Sequence, residues 1–178
     1  MKFDSFDGKN IHLFGGSSGI GLAAAKQLAN LGANIFIYAR TEHRLRSASL
    51  EIENHCQISQ QKVVWISVDI SIPEDVRQVI ASTVEKHGKP DILINCAGRA
   101  YPEHFEAISY HQFEETMKVN LFGIWNSIQS ILPYMKDNGG LIVNTSSVVG
   151  YVGIFGYTDY AASKFGIIGL SEALRSEL

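Results

Sequence analysis

The sequence predicts a doubly wound α/β fold, in which a parallel sheet carries helices on both faces as a three-layer sandwich. Three observations point there. Strand-like and helix-like segments alternate along the 178 residues, without repeats or low-complexity linkers. The strand-like segments are short and almost continuously apolar, the signature of parallel strands buried on both faces. A glycine-rich turn, Gly15-Gly16-Ser17-Ser18-Gly19-Ile20-Gly21, follows the first strand and opens a helix. Right-handed crossovers then wind helices over both sides of one sheet.

The elements follow in order. Residues 11–14 form a short apolar strand ending at the glycine turn. Residues 20–31 carry apolar side chains at helical spacing (Ile20, Ala24, Leu28, Leu31), and Gly32 stops the helix. Residues 34–38 are a second buried strand, and 41–55 a polar helix with Thr41 as its N-cap. The third strand is 63–68. A helix over 73–87 is entered through Pro73 and followed by Gly88 and Pro90. The fourth strand, 92–94, precedes a loop and a long helix over 110–135. The fifth strand is 141–143, and a final helix occupies 157–178. One domain covers residues 1–178, long enough to bury a substantial core.

Composition narrows the function. Hydrophobic residues make up 46% and charged residues 19%, which excludes a disordered chain. The net charge is −3 with no block of Lys or Arg, giving no electrostatic basis for binding nucleic acid or an anionic membrane. No uninterrupted apolar run reads as a transmembrane span, and the start, Met1 to Asp7, has no signal-peptide character. The expected compartment is the cytoplasm. Cys56 and Cys96 fit no CxxC spacing and need no disulfide. The six histidines are scattered without a ligand spacing, so they read as solvated surface residues and no metal site is expected.

Chemically suggestive residues follow each strand: Gly15, Arg40, Asp69, Asn95 and Ser147. Ligands in such folds bind beyond the carboxyl ends of the strands, so these positions converge on one site. Gly15, Gly19 and Gly21, with Ser17, Ser18 and Ile20 between them, suit a dinucleotide pyrophosphate. Glycine lets the backbone come close, and the helix N-terminus offers unpaired N–H groups with positive partial charge. An acidic residue after the second strand would grip a ribose 2′-hydroxyl; this chain has Tyr38-Ala39-Arg40 instead. Arg40 can pair with a 2′-phosphate, which predicts NADP(H), the alternative being a solvated surface arginine. Asp69 and Ile70 are placed to frame the adenine. The small residues of Asn95-Cys96-Ala97-Gly98 let a cofactor pass close, with Ala97 and Gly98 against it. For Asn95 a purely structural role, bonding neighbouring backbone, is an equal reading. Cys96 reads as inert packing, with no basic partner nearby in sequence.

Tyr160 and Lys164 lie one turn apart on the final helix and project from one face. A free phenol titrates near ~10, and a neighbouring ammonium favours its ionised form. Tyr160 can then give a proton to a carbonyl oxygen, with Lys164 beside it also bonding the cofactor ribose. Ser147, at the end of the fifth strand, can hold that oxygen. Asn120, on the long helix, can anchor a water leading to Lys164. The set suits a nicotinamide-dependent carbonyl reductase or alcohol dehydrogenase.

These residues resemble the short-chain dehydrogenase/reductase family, whose members have a Rossmann-type fold. The likeness runs from Ile11 to Leu178 through Gly-Gly-Ser-Ser-Gly-Ile-Gly (15–21), Asn-Cys-Ala-Gly (95–98), Val-Asn (119–120), Ser-Ser (146–147) and Tyr-Ala-Ala-Ser-Lys (160–164). The resemblance implies a catalytic tetrad of Asn120, Ser147, Tyr160 and Lys164, hydride transfer with nicotinamide, and homodimers or homotetramers built on the two long helices. Within the family the chain most resembles the 3-ketodihydrosphingosine reductases, through Val68-Asp69-Ile70-Ser71 and Gly153-Ile154-Phe155-Gly156-Tyr157 among others. Phe14 departs from the family, which usually has threonine there to brace the glycine turn. The chain stops inside a helical pattern, where family members continue with two more strands and a substrate-binding segment. The apolar, aromatic loop 148–157 between Ser147 and Tyr160 suits a bulky or lipid-like ketone, a long-chain 3-keto compound being preferred. Its side chains equally suit packing against a helix or a partner subunit. A 3-oxoacyl-thioester reductase or hydroxysteroid-type dehydrogenase is the alternative within the enzymes. A non-catalytic NADPH-binding regulator is the alternative outside them.

Overall fold

The computed structural model describes residues 5–136 and 139–178; the first four residues of the signal-peptide reading lie outside them. Five parallel strands form one sheet in the order β3-β2-β1-β4-β5. They are β1 (Asn10–Phe14), β2 (Asn34–Ala39), β3 (Val63–Ser67), β4 (Ile92–Asn95) and β5 (Leu141–Asn144). The helices are α1 (Gly19–Asn30), α2 (Glu42–Glu53), α3 (Pro73–His87), α4 (Tyr110–Met117), α5 (Gly123–Met135) and α6 (Thr158–Glu177). This is the doubly wound, Rossmann-type architecture, with five strands.

The alternation of side chains along β1 and β2 divides the core between the two faces. Ile11, Leu13, Ile35 and Ile37 pack with Ala25 and Ala29 of α1 and Leu45 and Ile52 of α2. Phe14, Phe36 and Tyr38 pack on the other face with Val76 and Ile80 of α3, Ile124 and Ile128 of α5 and Ile167 of α6. Register is parallel and in step, with Ile11 opposite both Ile35 and Ile92, and Ile92 opposite Leu141. At the amino ends of the strands, the Asp91 carboxylate bonds the Lys9 ammonium and the Asn10 amide, each at 2.9 Å. On β5, Leu141 and Val143 are exposed.

Three sequence expectations change. The helix expected over 110–135 is interrupted by a π-helical segment, Lys118–Phe122, between α4 and α5. Hydrophobic periodicity could not reveal it, because Val119, Leu121 and Phe122 supply an apolar side chain in several directions. His12 is not a solvated surface histidine: it is wholly buried on β1 and stacked on Phe36 at a 4.8 Å centroid distance. It sits at a strand position where the sheet face requires burial, and its Nδ1 shares a hydrogen bond with the Tyr38 hydroxyl at 2.8 Å. Thr41 does occupy the N-cap of α2, but its side chain makes no capping bond.

Candidate active site

The glycine turn begins where β1 ends. Gly15 has φ 85°, a left-handed conformation that a side chain resists. A Cβ there would also come within 2.6 Å of the Ala97 amide nitrogen. A Cβ at Gly21 would collide with the Gly15 carbonyl oxygen. The turn therefore closes on itself and on the segment after β4. Phe14 does not loosen it: its ring stacks on Tyr38 at 4.5 Å, while Gly15 N donates to the Tyr38 carbonyl and Cys96 N to the Phe14 carbonyl, both at 2.8 Å.

Ser18 is the N-cap of α1 in an extended conformation, and its side chain makes no capping bond. The bond from Leu22 N to Ser18 O, 3.1 Å, begins the helical ladder. The amides of Gly19, Ile20 and Gly21 thus precede it, and Ser18, Gly19 and Ile20 are exposed. Uncapped N–H groups around a cradle that excludes side chains fit a pyrophosphate.

Arg40 lies just past β2 with its side chain 62% exposed, 3.7 Å from the Asp69 carboxylate. Burial works to raise the Asp69 titration point. The Ser71 hydroxyl and amide, bonded to Oδ1 at 2.7 and 2.9 Å, together with Arg40, hold it below the usual carboxylate value. Ile70 is buried, and its side chain fills the space that Gly123 leaves on α5. Its carbonyl accepts from Asn126 Nδ2 at 3.0 Å, so α5 fixes the loop carrying Asp69.

Asn95 is fully buried, with its side chain donating to Asn144 Oδ1 at 2.9 Å and accepting from the Ser127 hydroxyl at 2.7 Å. These bonds run to side chains of β5 and α5 rather than to neighbouring backbone. Ala97 and Gly98 follow at the strand end, where a Cβ on Gly98 would meet Asn120 Oδ1 at 3.4 Å and Lys164 Nζ at 3.9 Å. Gly98 thus leaves room for both side chains at the end of the sheet.

Asn120 lies in the π segment, fully buried. Its Oδ1 accepts from Arg99 N at 2.8 Å; its Nδ2 lies 2.9 Å from the Arg99 carbonyl and 3.0 Å from the Ser163 hydroxyl. Lys164 Nζ donates to the Thr145 carbonyl at 2.8 Å and lies 5.4 Å from the centre of the Tyr160 ring. Burial pushes the Lys164 ammonium below its ordinary titration point, while the Cys96 thiol opposes that shift. Cys96 has no basic neighbour along the chain, but the fold brings Lys164 near it. Ser147 caps a 3-10 turn, Val148–Gly150, by accepting from Val149 N at 3.3 Å, which leaves its hydroxyl proton available to an outside oxygen.

Sequence reasoning missed four contributors. Thr145 supplies the carbonyl that holds Lys164, Ser163 links Tyr160 to Asn120, and Thr116 bonds the buried Asp159. Ser163 and Asp159 flank the Tyr and Lys positions, a signal available in the sequence; Thr145 and Thr116 act through partners far away in the chain. Among the described residues no cluster of His, Cys, Asp and Glu could hold a metal. No helix among them is long and apolar enough to cross a membrane.

The profile of the family described as short chain dehydrogenase matches residues 9–178. The 3-ketodihydrosphingosine reductase of Bos taurus is 40% identical over 173 residues, covering 96% of this chain and 52% of that protein. The 3-dehydrosphinganine reductase of Danio rerio is 38% identical, covering 97% and 52%. The chain thus spans about half the length of these curated relatives. The 3-oxoacyl-[acyl-carrier-protein] reductase FabG of Thermotoga maritima is 34% identical, covering 97% of this chain and 69% of that one. A crystal structure assigned as a short-chain alcohol dehydrogenase from Sinorhizobium meliloti superimposes with a TM-score of 0.90 at 31% identity, covering 97% of this chain and 68% of that one.

Proposed function

The chain belongs to the short chain dehydrogenase family, and on that premise we propose that it reduces a ketone to a secondary alcohol with NADPH. The observation carrying the reading is that Lys164 lies 5.4 Å from the Tyr160 ring centre, with Lys164 and Asn120 each beside Gly98, at the end of the sheet where the glycine turn lies. When bound, NADPH supplies the hydride to the carbonyl carbon. The chain's own residues do the rest. Ser147 donates a hydrogen bond to the carbonyl oxygen, and Tyr160 delivers the proton that completes the hydroxyl. Lys164 places positive charge beside the phenol, supported by the Thr145 carbonyl. Asn120 holds the Arg99 backbone and, through Ser163, the turn bearing Tyr160.

The cofactor reading rests on Gly15, Ser17, Ser18, Gly19, Ile20 and Gly21 for the pyrophosphate and Arg40 for a 2′-phosphate. Asp69 and Ile70 frame the adenine, and the backbone of Asn95, Ala97 and Gly98 lines the path to Tyr160 and Lys164. The substrate is a long-chain 3-keto compound such as 3-ketodihydrosphingosine. The relatives' names support this, as do the exposed apolar side chains of Val148, Tyr151, Val152 and Phe155 beyond Ser147. The match to FabG favours a second reading, a 3-oxoacyl thioester. Residues 1–178 act as one cytoplasmic domain. It pairs with a second copy through the exposed Phe122, Trp125 and Phe165 of the α5 and α6 region.

Tyr160→Phe tests the mechanism. Turnover of 3-ketodihydrosphingosine should fall at least about 100-fold with NADPH affinity kept, in line with the loss of a general acid. Near wild-type turnover by the folded variant overturns the role of Tyr160. Specificity constants measured side by side for 3-ketodihydrosphingosine and a 3-oxoacyl thioester decide between the two substrates.

A further inference from the structure

Asp159 is 1% exposed, yet it carries a carboxylate. Among the described residues, no basic group lies within ion-pair distance of it. Its Oδ2 accepts from the Thr116 hydroxyl at 2.8 Å, and its Oδ1 from the Tyr160 amide at 2.7 Å. Thr116 is itself fully buried on α4. One turn further along both partners, Asn120 Nδ2 donates to Ser163 Oγ at 3.0 Å, and Ser163 Oγ donates to the Tyr160 carbonyl at 2.7 Å. Two polar rungs at matching helical spacing therefore join α4 and the π segment to α6. Tyr160 and Lys164 are the residues that immediately follow the two α6 rungs.

We propose that Asp159 and Thr116 are positioning residues for Tyr160. Further along, α6 is held by the Asn120–Ser163 bond, by Ser146 Oγ on the Lys164 carbonyl at 3.1 Å and by Asn144 Nδ2 on Ser171 Oγ at 3.0 Å. The Thr116–Asp159 rung adds a side-chain tie at its first turn, and so bears on the direction in which Tyr160 projects. The Tyr160 amide belongs to the first turn of the helix, where N–H groups lack helical partners; Asp159 supplies the missing acceptor. A carboxylate near a helix N-terminus is favoured by the helix dipole, but a buried one is costly unless its oxygens are bonded. Loss of the Thr116 hydroxyl leaves the buried Oδ2 without its donor and loosens the turn that carries Tyr160. The kinetic consequence rests on the reductase reading above; the structural one does not.

Four variants test this. Thr116→Val and Asp159→Ala remove the rung. Thr116→Ser keeps the hydroxyl. Asp159→Asn can also keep both bonds, with Oδ1 accepting from Tyr160 N and Nδ2 donating to Thr116, whose own proton then goes to the Gln112 carbonyl 3.0 Å away. Thr116→Val and Asp159→Ala should lower kcat at least about tenfold, since small misplacements of a catalytic group are costly. KM and NADPH affinity should stay within about twofold, and Ser and Asn should restore kcat to within about threefold. Hydrogen exchange gives a readout independent of turnover: the Tyr160 amide should exchange at least about tenfold faster in Thr116→Val.

Folded Thr116→Val with wild-type exchange and kcat overturns the proposal, as does failure of Asp159→Asn to rescue Asp159→Ala. A wild-type chain that binds NADPH but reduces no ketone refutes the reductase reading instead, and the exchange result alone then decides the positioning role.

Discussion

The Lys164 ammonium donates to the Thr145 carbonyl at 2.8 Å, so one buried cation ties the end of β5 to α6. Burial holds its titration point below that of an exposed lysine, meaning that the charged form is kept at some cost. Lys164→Met should therefore lower kcat/KM at least about 100-fold with little change in melting temperature, because the escaped cost of burying the charge offsets the lost bond to Thr145. Parallel loss of activity and of thermal stability would assign Lys164 a structural role.

Arg40 faces solvent and meets Asp69 only at 3.7 Å, so it is available to a phosphate. Arg40→Asp should lower the NADPH-to-NADH ratio of specificity constants at least about 100-fold, by losing a charge-assisted bond and adding like-charge repulsion. An unchanged ratio would leave Arg40 a surface residue.

Gly15 combines φ 85° with a close approach to the Ala97 amide. Gly15→Ala should destabilise the chain by about 1–3 kcal/mol, the usual cost of a strained position. NADPH affinity should fall with it, because the turn and the segment after β4 must part. Chemical denaturation together with cofactor titration checks both, and wild-type values in each would contradict the close packing described for the turn.

Burial, and secondarily His87, pushes the His12 titration point down to about 3, against the opposing pull of Asp91. In the unfolded chain it returns to about 6.5. Between these values the unfolded state binds a proton that the folded state does not. The stability contribution is therefore complete above about pH 6.5 and is lost as pH falls toward 3. His12→Phe, which preserves the stacking on Phe36, should flatten that slope. Unfolding free energies at pH 7 and pH 4.5 for both proteins check this; parallel losses would point to another group.

The order and type of elements were legible because apolar runs and glycine or proline stops are local signals. The 73–87 helix came out with the observed ends, since Pro73 and Gly88 mark them. For the candidate site, the placement of Gly15, Arg40 and Ser147 past the carboxyl ends of strands was legible, because each follows an apolar run. What stayed hidden depends on packing. His12 looks polar in sequence, but its strand position dictates burial. The π segment carrying Asn120 adds a wide turn that periodicity does not register. Asp159 reads as an ordinary first-turn carboxylate until the fold supplies Thr116, on another helix.

Strand order has a consequence for synthesis. The central strand finds β2 soon after it leaves the ribosome, but its other neighbour arrives only with Ile92, paired to Ile11. At translation rates of about 5–20 residues per second, the unpaired side of β1 waits on the order of 10 s. The glycine turn shares that delay, because Cys96 and Ala97 complete it. During this interval the nascent chain holds an apolar strand with one open edge, and chaperone capture or misassembly would act on that intermediate rather than on the finished domain.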